Sequence, residues 1–250
     1  MISTNRPMID GKAAGVASNT VVYAIGDIHG RVDLLRELYR RIEQDAEKRD
    51  VEKRVIVHLG DYIDRGPNAK EVIGCFCTPP LNGFERHWLL GNHEYDMLQF
   101  LAGDPAANRW LLNGGRETLQ SYGITFGTER CGDRELDRLR TALRENLPAE
   151  HQRFLNNLGL VYENGDFLFV HAGLRPGVAI EAQSTFDLLW IRGPFLNTTQ
   201  EFGRIIVHGH SPFRTPQVRH NRIGIDTGAY HTGHLTALVL RGSELSFLQT

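Results

Sequence analysis

Lysine is scarce in this 250-residue chain: among 28 cationic side chains only Lys12, Lys48, Lys53 and Lys70 are lysines, and the rest are arginine. With a formal net charge of -2 there is no chain-wide basic field to attract nucleic acid or an anionic membrane surface, so any affinity for phosphate has to be local. Cysteine is equally sparse. Cys75, Cys77 and Cys131 are odd in number and include a C-x-C, which argues against a disulfide framework and a zinc knuckle and fits a reducing, cytoplasmic setting. No C-x5-R loop follows any of them, so the phosphocysteine route of one phosphatase class is excluded. Long apolar runs are missing too, and MISTNRPMIDGKAAGVASNT at the start has no apolar signal core. Neither a membrane nor a nucleic-acid partner is therefore expected.

What is present is strand, loop and helix in repeated order. VVYAIGDIHGR ends an apolar run in a glycine turn, and VDLLRELYRRIEQ then sets Leu34, Leu35, Leu38 and Ile42 on one helical face. RVIVHLGDYIDRGPN with AKEVIGCFC repeats the plan, and HWLLGNHEYDMLQFL makes a third unit. Three such steps point to an α/β fold with a βαβαβ core. Residues 101–160 read as mostly helical, with Leu136, Leu139, Leu143 and Leu147 on one stripe, whereas the Asn-Gly in LVYENGDFLFVHAG marks a hairpin and opens a strand-rich second half. Residues 1–19 are expected to form a mobile tail and residues 20–250 a single domain.

Polar side chains able to hold metal recur where buried strands end: Asp27 and His29, Asp61, Asn92 and His93, His171, and His208 and His210. In open α/β sheets the carboxyl ends of strands converge on the ligand site, so five coincidences outweigh the bland account of turn aspartates and core histidines. Asp, His and Asn without thiolate suit manganese, iron or zinc.

GDIHG at 26–30, GDYIDRG at 60–66, GNHE at 91–94, HAG at 171–173 and GHSP at 209–212 resemble the signature of the phosphoprotein phosphatase family of calcineurin-like metallophosphoesterases. RWLLNGG and IDTGAYHTGHLT resemble its bacteriophage lambda and bacterial serine/threonine phosphatase branch. The resemblance implies two mixed β-sheets forming a sandwich flanked by helices. It also implies two divalent metal ions, Mn2+ foremost with Fe or Zn admitted. Asp27, His29 and Asp61 would hold one ion; Asp61, Asn92, His171 and His210 would hold the other, with Asp61 bridging. A water activated between such ions attacks phosphorus in line. His93 would act as general acid oriented by Asp64, while Arg65, Arg192 and Asn92 would bind substrate phosphate. Glu94 is expected only to open its helix, and Asp226 to be either a turn residue or a partner of a ligand histidine.

The activity implied is that of a serine/threonine protein phosphatase, possible phosphotyrosine included, acting on phosphorylated proteins or peptides and on small phosphate esters. The alternative is a symmetrical bis(5'-nucleosyl)-tetraphosphate hydrolase acting on dinucleoside polyphosphates, and a third reading is an inactive phosphate-binding scaffold. The symmetrical hydrolases tend to lack an acid at the position of Asp64 and to read GNHD, so GDYIDRG and GNHE tilt the expectation towards the protein phosphatases.

Overall fold

A computed structural model describes residues 7–78, 81–125 and 132–250; Cys131 lies outside them. Its strands are β1 (Met8–Ile9), β2 (Lys12–Ala13), β3 (Thr20–Ile25), β4 (Lys53–His58), β5 (Phe84–Trp88), β6 (Val161–Asn164), β7 (Phe167–Val170), β8 (Ile205–His208), β9 (Gln217–Val218), β10 (Arg222–Gly224), β11 (Thr236–Arg241) and β12 (Glu244–Gln249). The helices that matter here are α1 (Val32–Glu47), α2 (Ala69–Cys77), α3 (Asn92–Ala102), α4 (Gly115–Ser121), α5 (Asp133–Asn146), α6 (Ala149–Asn156) and α7 (Thr185–Trp190). No described helix is long and apolar enough to cross a membrane.

Two mixed five-stranded sheets form the frame, in the orders β12-β11-β3-β4-β5 and β6-β7-β8-β10-β9. β3, β4 and β5 are parallel, joined through α1 and α2 as the repeated units predict. The second sheet carries its own parallel trio, β7, β8 and β10. β3 is buried along its whole length because both of its faces are covered. Val21, Tyr23 and Ile25 pack with Leu35, Leu38 and Ile42 of α1, while Val22 and Ala24 meet Phe167, Phe169 and Val207 of the opposite sheet. The outer face of the second sheet is capped in turn by Leu188 of α7 and Phe195. The expected Asn-Gly hairpin is the β6–β7 turn, where Asn164 pairs with Phe167 and Gly165 takes the left-handed φ of 58° that such turns need.

Residues 7–19 depart from the expected mobile tail. β1 and β2 pair with each other, Ala14 and Val16 are buried, and Gly15 N–H donates to Asp166 Oδ2 while Ala17 N–H donates to Asn164 Oδ1. The physical reason is that the β6–β7 turn presents side-chain acceptors that this segment's amides satisfy.

His58 ends β4 in the core, stacked on Trp88 and edge-on to Phe76, with Nε2 2.7 Å from the Tyr39 hydroxyl. Burial pushes its imidazole down to about 3, against roughly 6.5 in an unfolded chain. Between those values the unfolded chain binds the proton and the folded one does not, so stability falls as pH drops through that window. Chemical denaturation at pH 7 and pH 4 should therefore show His58→Gln losing less stability on acidification than the parent. An equal acid loss in both proteins would place the titrating group elsewhere.

Candidate metal centre

Five of the six parallel strands deliver their C-terminal loops to one place. Ile25 leads to Asp27 and His29, His58 to Asp61, Val170 to His171 and His208 to His210, while Asn92 and His93 open α3 just beyond β5. The loops are tied across: Ile28 and His29 N–H donate to Asp61 O, His171 Nδ1 to Leu59 O, and Gly209 N–H to His171 O. His29, Asp61, Asp64, Arg65 and His210 all hold left-handed φ between 46° and 70°, a conformation disfavoured for side-chain-bearing residues and typical of functional loops. Gly91 is required here, since a Cβ on it would land on Asp61 N and Oδ1.

Among the described residues two buried groups have ligand atoms within 4.8 Å of one another, His29–Asp61–His93 and Asp61–His171–His210. Asp61 belongs to both. Its Oδ2 lies 3.6 Å from His29 Nε2 and 3.8 Å from His93 Nε2, and its Oδ1 lies 3.4 Å from His171 Nε2. Asp27 stands outside both groups, with its two oxygens accepting from His210 N–H at 3.0 and 3.1 Å. Asn92 joins through Oδ1, 3.0 Å from His171 Nε2.

These residues fit cations. His29 and His171 donate Nδ1–H to the carbonyls of Ile63 and Leu59, which leaves each Nε2 lone pair turned towards the cluster. His171 Nε2 then faces Asn92 Oδ1, and two acceptors set that close call for a positive charge beside them. Burial lowers His29 and His171 and takes His210 down to about 2, keeping the neutral form that ligates. Burial, with the carboxylates of Asp226 and Asp61 close by, raises Asp27, a strain that divalent ions would relieve.

A histidine–aspartate pair sits against this cluster. His93 Nδ1 and Asp64 Oδ2 are 2.6 Å apart. Burial alone would lower His93, but Asp61 and then Asp64 outweigh it and hold the imidazole up at about 9. Arg65 Nη1 and Nη2 reach His29 Nε2 and His93 Nε2 at 3.0 and 3.1 Å, while Arg192 Nε donates to His210 Nε2 at 3.1 Å. Each guanidinium thus contacts histidines of a different group, Arg65 those of the first and Arg192 that of the second.

Two features were not legible in the sequence. Trp110 Nε1 and Thr118 Oγ1 donate to the Asp64 carboxylate at 2.8 and 2.5 Å, from 46 and 54 residues away. Glu94 does more than open α3: its carboxylate accepts from the amides of Asp61, Tyr62, Ile63 and Gly91, holding the whole loop. Of the two readings of Asp226 the turn is the one seen: its Oδ1 accepts from Gly228 N–H two residues on at 2.8 Å, and it faces Asp27. RWLLNGG was the one sequence signal near the first of these, and it carried no role.

Residues 20–239 match the calcineurin-like phosphoesterase family. The chain belongs to that family. Among its relatives is the asymmetrical bis(5'-nucleosyl)-tetraphosphatase PrpE of Halalkalibacterium halodurans, 24% identical over 90% of this chain and 91% of that protein. Serine/threonine-protein phosphatase 1 of Salmonella typhimurium is 27% identical over 86% of this chain and 89% of its own. In fold the chain resembles a solved candidate diadenosine tetraphosphatase, with TM-score 0.62, 20% identity and coverage of 94% of this chain and 98% of that one.

The calcineurin-like fold and phosphoesterase family are as expected, but the expectation of a serine/threonine protein phosphatase is corrected. Several curated relatives that span most of this chain are named as asymmetrical tetraphosphatases, among them those of Halalkalibacterium halodurans, Bacillus velezensis and Bacillus subtilis. The reason the motif test misled is physical: Asp64 and Glu94 are both fully buried, bonded to His93, Trp110, Thr118 and backbone amides, so neither touches a substrate's leaving group. Replacing Glu94 by Gln puts an amide donor against two of those N–H groups. Each amide left without an acceptor should cost about 1–3 kcal/mol, read by urea denaturation; unchanged stability would remove Glu94 as the clamp of this loop.

Proposed function

We propose that this phosphoesterase hydrolyses bis(5'-nucleosyl) tetraphosphates asymmetrically, releasing a nucleoside monophosphate and a nucleoside triphosphate. The observation that carries the reading is the nearly end-to-end likeness to a relative of that name, across 90% of this chain and 91% of the relative. The arginines agree with it. Arg65 contacts histidines of one group and Arg192 a histidine of the other, a spread of positive charge that suits a chain of phosphates more than one ester group. The runner-up from the sequence was the symmetrical hydrolase; the two differ in which bond of the same chain is cut.

In this reading Asp27, His29 and Asp61 hold one divalent ion and Asp61, Asn92, His171 and His210 the other, manganese being the metal we favour. Two such ions supply an activated water and stabilise charge on the attacked phosphoryl group. The rest is done by side chains. Arg65 turns from the two imidazoles to bind phosphate oxygens, as does Arg192 from His210, each through a planar fork that matches them. His93 carries its proton on the nitrogen facing the cluster and gives it to the departing phosphate oxygen, while Asp64 fixes the ring and stabilises its charged form. Trp110 and Thr118 hold Asp64 in turn.

Chromatography of diadenosine tetraphosphate digested in Mn2+ buffer should show AMP and ATP in equal amounts; ADP alone would mean symmetrical cleavage and refute the proposal. Asp64→Asn should slow turnover by about 10- to 100-fold with metal content kept, whereas Asp61→Asn should lose metal by elemental analysis. Equal loss of metal in both would break the division of labour between these two carboxylates.

A further inference from the structure

Five large hydrophobic side chains are exposed among the described residues: Met8, Leu112, Val161, Phe186 and Tyr230. Of the two aromatic ones, Tyr230 borders the cluster and Phe186 packs on Trp190, near Arg192 in the chain. Tyr230, 39% exposed, meets the His29 ring edge-on with centroids 5.5 Å apart, and the Arg65 guanidinium lies 5.0 Å from its centroid. Phe186, 64% exposed, stacks on Trp190 one helical turn further along α7, with centroids 5.3 Å apart and planes 18° from parallel. Trp190 is placed by the site itself. It precedes Arg192 by two residues and receives Tyr95 perpendicularly at 5.1 Å, and Tyr95 follows His93 by two.

An aromatic surface accompanies each guanidinium: Tyr230 meets Arg65 and His29, and Phe186 stacks on Trp190, two residues before Arg192. Leaving a phenyl ring that open to water is unfavourable, and neither ring finishes a core, since neither is among the core residues. A molecule with a polyanionic centre and a flat π-face at each end would match two arginines and two aromatic surfaces gathered around one candidate cation cluster. We infer that Tyr230 and the Phe186–Trp190 pair are two stacking platforms, one for each nucleobase of a dinucleoside polyphosphate. The inference rests on the proposed activity for its substrate class, and it adds the residues that read the two bases. Stacking tolerates any base, because each has a π-face, so the platforms select for two nucleosides without choosing which.

The test is competition with p-nitrophenyl phosphate hydrolysis by the Mn2+-loaded enzyme. Inhibition constants are measured for diadenosine tetraphosphate and for inorganic tripolyphosphate, which carries the charge without the bases. Tyr230→Ala and Phe186→Ala should each raise the ratio of the dinucleotide constant to the tripolyphosphate constant by about 5- to 50-fold. Tyr230→Phe and Phe186→Tyr, which keep a ring, should bring the ratio back to the parent value. An unchanged ratio in the alanine variants, or a parent that binds the dinucleotide no better than tripolyphosphate, overturns the platforms. The proposed activity is judged separately, by product analysis on the parent. If the dinucleotide is bound with the expected ratios but not cleaved to AMP and ATP, the activity falls and the platforms stand.

Discussion

Everything in this site hangs on one buried residue in a disfavoured backbone conformation. Asp61, at φ 53°, has its N–H accepted by Glu94, its carbonyl bonded by the amides of Ile28 and His29, and its Oδ1 bonded by His93 N–H. Four hydrogen bonds through three polar atoms of one residue thus tie the loop after β3 and the start of α3 to the loop after β4. A left-handed aspartate costs backbone energy and a buried carboxylate costs desolvation. Both are sustained because every polar atom has a partner and because the carboxylate faces imidazoles on each side. Moving Asp61 would move His29, His93 and the entry to α3 with it.

The chemistry follows from how charge is distributed around that residue. His29, His171 and His210 are kept neutral by burial, and the two whose Nδ1 is committed to a backbone carbonyl turn Nε2 inwards. His93 differs. It lies between Asp61 and Asp64, and these carboxylates reverse the effect of burial, so imidazoles of one cluster divide into ligand-like bases and an acid. The residues that do this are buried, whereas Tyr230, Phe186, Arg65 and Arg192 are exposed. Asp64 and the glutamate of GNHE belong to the buried layer, and for that reason they could not decide between protein and nucleotide substrates.

Much of the fold and most of the cluster were readable from local pattern. β3, β4 and β5 with α1 and α2 follow from apolar runs punctuated by glycine, and the β6–β7 turn from Asn-Gly, because these signals act between near neighbours along the chain. Metal-binding side chains at strand ends were visible for the same reason, since a buried parallel strand has to end in a loop at the sheet's carboxyl edge. The docking of residues 7–19 was hidden, because amides in a polar segment find acceptors in Asn164 and Asp166 some 150 positions away.

By itself, then, the sequence determined the elements, their order and which side chains reach the common edge. Only the tertiary structure decided that Asp27 turns to His210 N–H, that Glu94 clamps the loop after β4, and that Trp110 and Thr118 hold Asp64. It alone set Tyr230 beside Arg65, and Trp190 against Tyr95. The physical reason is range: periodicity and turn chemistry act over a few residues, whereas hydrogen bonds, charge pairs and ring contacts become definite only when packing fixes distances between distant segments.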